Sequence, residues 1–234
     1  SWPPIARRTL WTSAGAGLVA LLAYLAVVAT PAGRAWLAAG PAYADNFSGW
    51  PTVAADVGAD LAARPPGTVL VADNFMLGAQ LALALGREDV RVLEHPLNAK
   101  HGRARQLAIW GLLGPGTSAT GAPAMLVVED GAVPRKDRLD HYRALCATYG
   151  ALPVPRETVV DHGRKRFLRF DLPAAPGAGC AAPPLAWIDA PVAGGALAAG
   201  GEVRGWALQD GGGVARVEVT LDGRVVASAV IDRP

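Results

Sequence analysis

The pattern of apolar and polar positions divides the chain into three stretches. Residues 9–30 form an apolar run without a charge. At about 22 residues it is long enough to cross a hydrocarbon core of about 30 Å and predicts a transmembrane helix. From residue 68 to 172, short β-branched apolar runs alternate with segments of helical periodicity, and from 185 to 234 only short strand-like runs remain, divided by glycine clusters.

In the middle stretch, residues 68–73 (TVLVAD), 89–95 (DVRVLEH) and 123–130 (PAMLVVED) read as strands. Residues 75–86, 102–113 and 136–150 read as helices. The first stops at Gly86; the last stops at Gly150 and carries Leu139, Tyr142, Leu145, Cys146 and Tyr149 on one face. Strands alternating with helices imply an α/β fold, a small, mostly parallel sheet in three layers with right-handed crossovers. Residues 156–172 add two strands joined by His162-Gly163, a hairpin at the sheet edge.

An Ala-rich connector, residues 33–64, precedes this unit. Its Trp36, Tyr43, Phe47 and Trp50 suit a membrane interface, and Val53, Val57 and Leu61 recur at four-residue spacing in a short helix closed by Pro65-Pro66-Gly67. Residues 173–184 (PAAPGAGCAAPP) have linker composition. Beyond them, four short strands with Asp222-Gly223 as a hairpin turn read as the beginning of an immunoglobulin-like sandwich, which needs about seven strands. The expected organisation is therefore 1–33 membrane helix and flanks, 34–172 α/β domain with its connector, 173–184 linker, and 185–234 a truncated sandwich. With Ser1 at its start and half a sandwich at its end, the sequence reads as a piece of a longer chain.

Arg7 and Arg8 directly precede the apolar run while only Arg34 follows closely, so the positive-inside bias puts the N-terminus in the cytoplasm and the remainder outside it. The run exceeds the 7–15 residues of a signal-peptide core, which favours an anchor over a cleaved signal. Cys146 and Cys180 both lie beyond it, in a compartment where disulfides persist; they are disulfide candidates, with two buried thiols as the alternative.

With 22 basic and 20 acidic residues the net charge is only +2, so the chain lacks the broad positive field of a nucleic-acid binder. No CxxC, HExxH or Cys/His cluster marks a metal site, no glycine-rich nucleotide loop or G-x-S-x-G is present, and nothing identifies a cofactor. What remains is positional, because ligands of open parallel sheets bind at the carboxyl ends of the strands. Those ends carry Asp73-Asn74, Glu94-His95 and Glu129-Asp130. The loop after the second strand adds Asn98, Lys100, His101 and Arg103 ahead of a helix expected to start at Gly102. His95, Asn98, Lys100, His101 and Arg103, with Asp73 and Asn74 nearby, are candidate ligands for a phosphate or sugar-phosphate; the alternative is a loop that caps the helix and pairs with Glu94 or Glu129.

The order FSGW, VADNF, HPLNAKHGRARQLAIW, LVVED, YRALC and HGRKRFLRF after an apolar helix resembles the extracytoplasmic C-terminal portion of bacterial GT-C-type membrane glycosyltransferases, relatives of the aminoarabinose–lipid A transferases and the dolichyl-phosphate-mannose protein mannosyltransferases. The resemblance spans roughly residues 5 to 172; the tail, with IDAPVAGG and VRGWALQDGGGVARVEVTLDG, resembles bacterial immunoglobulin-like modules appended to such enzymes. It implies a bacterial inner-membrane enzyme that passes a sugar from a polyprenyl-phosphate carrier to a glycan, lipid or protein acceptor outside the cytoplasm. The family's catalytic carboxylate belongs to a first extracytoplasmic loop that no residue here matches, so the resemblance assigns no catalytic residue and implies that this portion alone is inactive. A non-enzymatic, membrane-anchored envelope protein that binds glycans or protein partners is the alternative.

Overall fold

The computed structural model describes residues 3–38, 40, 43, 48–115, 122–174, 179–180, 182–191, 197–210, 213–221 and 224–230. By contacts the chain divides into two units, Ser1–Ser48 and Gly49–Pro234, with no further division at the proline-rich segment.

In the first unit, helix α1 (Pro4–Val28) has Pro3 as N-cap and buries none of its residues. The Thr9 and Thr12 hydroxyls donate to the carbonyls of Ile5 (3.1 Å) and Arg8 (2.9 Å), so its few polar side chains are satisfied within the helix. It is long and apolar enough to cross a membrane. It starts earlier than the apolar run, taking in Arg7 and Arg8, and stops before Thr30, whose Oγ1 instead accepts from the Gly33 N–H (3.1 Å) to cap α2 (Pro31–Leu37). Of the connector's aromatics, Trp36 is exposed and Tyr43 buried, while Phe47 lies outside the described residues.

The second unit is mixed α/β. Helix α3 (Trp50–Ala62) leads into β1 (Val69–Ala72), α4 (Phe75–Leu85), β2 (Arg91–Val92), α5 (Pro96–Lys100), α6 (Ala104–Ile109), β3 (Ala124–Glu129), α7 (Arg138–Tyr149), β4 (Arg156–Val160) and β5 (Lys165–Leu172). The five strands form one sheet in the order β2-β1-β3-β5-β4; β1 pairs in parallel with β2 and β3, and β5 lies antiparallel between β3 and β4. Strand alternation splits the core in two. Leu70, Ala72, Met125, Val127 and Phe167 pack with Trp50, Val53, Val57, Leu77 and Leu81 of α3 and α4. Val71, Leu126, Val128, Leu168 and Phe170 pack with Tyr142, Leu145 and Tyr149 of α7. Covered on both faces, β3 is buried along its length, which is why its sequence is a continuous apolar run. Trp50, expected at a membrane interface, instead packs edge-on against Phe167 (5.7 Å between centroids) in this core.

Two expectations are corrected between β1 and β3. The strand read at 89–95 shrinks to Arg91–Val92 at the sheet edge. Of the helix expected at 102–113 only α6 (Ala104–Ile109) forms, and α5 lies before it in the expected loop, because Gly102 (φ +66°) and Gly111 (φ +68°) take left-handed conformations that end α5 and α6. After Gly111 the chain returns to the sheet edge: the Val92 N–H donates to the Leu112 carbonyl and the Gly114 N–H to the Val92 carbonyl, both at 2.9 Å. Two satisfied backbone pairs replace another turn of helix.

The β4–β5 turn is longer than His162-Gly163 alone: residues 161–164 make it, with positive φ at Asp161, His162 and Gly163 and the Arg164 N–H on the Asp161 carbonyl (3.1 Å). Cys146 and Cys180 are joined by a disulfide. The described tail forms two antiparallel pairs, β6 (Leu185–Ala190) with β7 (Arg204–Leu208) and β8 (Arg216–Leu221) with β9 (Arg224–Val230). Asp222-Gly223 lies outside the described residues, between the partners Leu221 and Arg224.

Candidate functional site

Strands β1, β2 and β3 run parallel, so the segments leaving their carboxyl ends meet at one edge of the sheet. Asp73, just after β1, is almost fully buried; its Oδ2 accepts the Glu129 N–H (3.1 Å) and its Oδ1 accepts from the Asn74 amide (2.8 Å). Burial first, and the Glu129 carboxylate second, push its pKa up to about 8. Asp73 is thus a largely protonated acid at neutral pH that ties the end of β1 to the end of β3.

Asn74 caps α4, its Oδ1 accepting from the N–H groups of Met76 (3.0 Å) and Leu77 (3.1 Å). Asn98, buried on α5, supplies the remaining acceptor: its Oδ1 takes the Phe75 N–H (2.9 Å) while its Nδ2 donates to the Leu93 carbonyl (2.8 Å). The first N–H groups of α4 are therefore used up by side-chain oxygens and offer nothing to an anion. His95 caps α5 through Nδ1, which accepts the Leu97 N–H (3.1 Å). Burial lowers its pKa, so the ring is neutral with its proton on Nε2.

Four of the candidate residues, Asp73, Asn74, His95 and Asn98, thus belong to the hydrogen bonding that closes this edge. Lys100, His101 and Arg103 stand on the exposed side. The His101 ring lies 5.4 Å from that of Phe75, and Arg103 donates to the Gln106 side chain (3.2 Å). The alternative reading has this loop cap the helix expected at Gly102; instead His95 caps α5, Asn98 takes an N–H at the start of α4, α6 has no side-chain cap, and Glu129 faces Lys165 (3.8 Å). The expected helix start at Gly102 is a break, and the six-residue α6 begins two residues later.

Sequence reasoning missed the groups that α7 and β5 bring to this edge. Asp130 is buried, with Oδ1 accepting the Tyr142 hydroxyl proton (2.7 Å) and Oδ2 facing Arg138 (3.2 Å) and Arg166 (3.6 Å). Burial and then Asp130 raise the Tyr142 phenol well above its ordinary range. The His141 ring lies 5.8 Å from His95 and 5.5 Å from Tyr142; burial first, and His95 second, lower its pKa to about 4. Lys165 is buried beside Glu129, its Nζ 4.0 Å from the centre of the Trp50 ring. An available signal was the turn at His162-Gly163, since a strand leaving it antiparallel to β3 must begin where β3 ends.

A cleft of about 390 Å³ opens beside this network, between Glu94, His95, Pro96, Ala99, Ala104 and Leu113. Its lining offers a carboxylate, a neutral imidazole and apolar groups; Lys100 and Arg103 are not part of it. Among the described residues no cluster of three or more His, Cys, Asp or Glu side chains is placed to hold a metal ion. The edge is thus a buried polar network, in which His141 Nε2 and Lys165 Nζ make no hydrogen bond among the described residues, beside an open, weakly polar cleft. No family model matches this chain, and neither a curated protein nor a solved structure matches it significantly.

Proposed function

We propose that this chain is the anchored extracytoplasmic portion of a GT-C-type membrane glycosyltransferase of the bacterial inner membrane. In this reading α1 spans the bilayer and the α/β unit shapes the acceptor or carrier side. The group that attacks or activates the polyprenyl-phosphate-linked sugar lies in another part of the protein. The observation that carries the reading is α1, an uncovered apolar helix with Arg7 and Arg8 in its first turns, joined to a unit with a buried polar edge and an open cleft beside it. The Cys146–Cys180 disulfide favours an oxidising compartment for the second unit. The two core clusters on opposite sides of the sheet support a three-layer arrangement, and the β6–β7 and β8–β9 pairs are read as part of an immunoglobulin-like sandwich.

A second reading, a non-enzymatic envelope protein that binds a glycan or protein partner, is favoured by the structural use of Asp73, Asn74 and Asn98. Two measurements decide. A periplasmic reporter fused after Asp171 should be active and a cytosolic one silent. Membranes carrying the longer protein should transfer sugar from a polyprenyl-phosphate donor to an acceptor, whereas this chain alone should be inert. Absence of transfer from every such donor supplied, or turnover by the chain alone, overturns the transferase reading.

A further inference from the structure

Residues 95–115 contain no acidic residue, and within them Lys100, His101, Arg103, Arg105, Ile109 and Trp110 are all exposed. Ile109 is 73% and Trp110 61% exposed, large values for such side chains, while Leu107 is the buried residue of α6. Arg105 and Ile109, four residues apart, share the side of α6 away from Leu107, while Arg103 and Trp110 stand at the two ends of the helix, so one short exposed corner carries both cations and large apolar side chains. This corner is held in place. Gly111 ends the helix, residues 112–114 are stitched to β2, and the Arg91 guanidinium donates to the Gly111 carbonyl.

We propose that this exposed corner of α5 and α6 docks on an anionic lipid bilayer, with Trp110 and Ile109 entering the headgroup region and Lys100, Arg103 and Arg105 meeting lipid phosphates. A Trp ring prefers that depth, and each Lys or Arg near an anionic surface strengthens binding roughly fivefold. Exposure argues for a surface of many phosphates over a pocket for one, because these cations are exposed and do not line the cleft at this edge. The inference rests on the reading of α1 as a membrane anchor, which holds the bilayer at high local concentration around the second unit.

The test is hydrogen exchange of residues 100–111 in the whole chain, reconstituted in nanodiscs of phosphatidylcholine alone or with about 30 mol% phosphatidylglycerol. The expected result is slower exchange, by about tenfold, only in the anionic discs. The protection should disappear in Arg103→Gln/Arg105→Gln and in Ile109→Ser/Trp110→Ser, each with an unchanged melting temperature. A brominated lipid should quench more fluorescence in the wild-type chain than in Trp110→Phe. Equal exchange in both discs overturns the proposal, as does equal protection by inorganic phosphate in detergent at matched ionic strength, which would mark an anion pocket. Retention in the discs after an alkaline wash reports on α1 separately. A retained chain with an unprotected segment refutes the docking face alone, while a chain that washes off refutes the anchor and the docking face together.

Discussion

One buried amide, that of Asn98, holds α5 to α4 and to the end of β2. Replacing it with Ala leaves the Phe75 N–H and the Leu93 carbonyl without partners, so Asn98→Ala should cost about 2–4 kcal/mol in urea unfolding. A loss below the usual cost of one hydrogen bond would show that water reaches both groups. Asp73 makes a prediction of opposite character, about pH. Its ordinary pKa of 3.8 rises to about 8 in the fold, so the native state holds a proton that the unfolded chain has released. That contribution is complete below about pH 4 and is lost as pH rises through 8. His141, lowered from 6.5 to about 4, acts in the reverse sense: its contribution is complete above 6.5 and is lost as pH falls through 4. The two slopes offset one another between about pH 4 and 6.5, leaving Asp73 alone above that. Stability should then decline from pH 6.5 to 8, by up to about 1.4 kcal/mol per pH unit, and Asp73→Asn should flatten the decline. A rise over the same interval in the wild-type chain would contradict the buried, protonated acid.

At the scale of elements, the strong periodicities survive and the glycines decide the rest. β1, β3, α4 and α7 follow the apolar pattern because each buries what that pattern marks. Residues 102–113 do not, since RARQLAIWGLL has helical composition throughout and only backbone geometry reveals that Gly111 is a stop. A substitution separates the two readings by sign. In a continuous helix Gly111→Ala would stabilise by about 1 kcal/mol through propensity, whereas at φ +68° it should destabilise by about 1 kcal/mol. Thermal unfolding of this single variant suffices, and a raised melting temperature would favour the continuous helix. The candidate site was half legible for the same reason. The strand ends marked the edge, and short-range spacing marked His95, Asn98 and Lys100. His141, Tyr142 and Lys165 arrive through long-range packing and strand order, which periodicity does not encode.

For the second unit as a whole, the question is what attaches the tail. Composition marks residues 173–184 as a linker, yet Ala182 is buried in the core beside Tyr149 and Leu172, and Leu185 packs against the same cluster. Beyond it, Asp210 receives two bonds from Arg143 (2.7 and 3.3 Å), and the Arg135 guanidinium lies 3.0 Å from the centre of the Trp187 ring. These partners are dozens of residues apart, so nothing local in the sequence announces them. The Arg143–Asp210 pair is exposed and screened by solvent, and exposed cation–π contacts are worth only about 0.5–1 kcal/mol. The Cys146–Cys180 bond is the strong attachment. It fixes Cys180 to α7, so that β6 follows an anchored residue after the four residues 181–184 instead of following the end of β5 at Leu172. Closing 34 residues of sequence is worth about 3–4 kcal/mol on chain-entropy grounds. Cys180→Ser should therefore lower stability by about that much. It should also speed hydrogen exchange in β6 and β7 more than in β1 and β3, because the longer leash lowers the effective concentration of the hairpin at α7. Arg143→Ala should leave both nearly unchanged while the disulfide is intact, and should speed exchange of the hairpin once it is reduced. If Cys180→Ser leaves β6 and β7 as protected as before, the burial of Ala182 and Leu185 alone holds the hairpin, and the disulfide contributes only to the unfolded state.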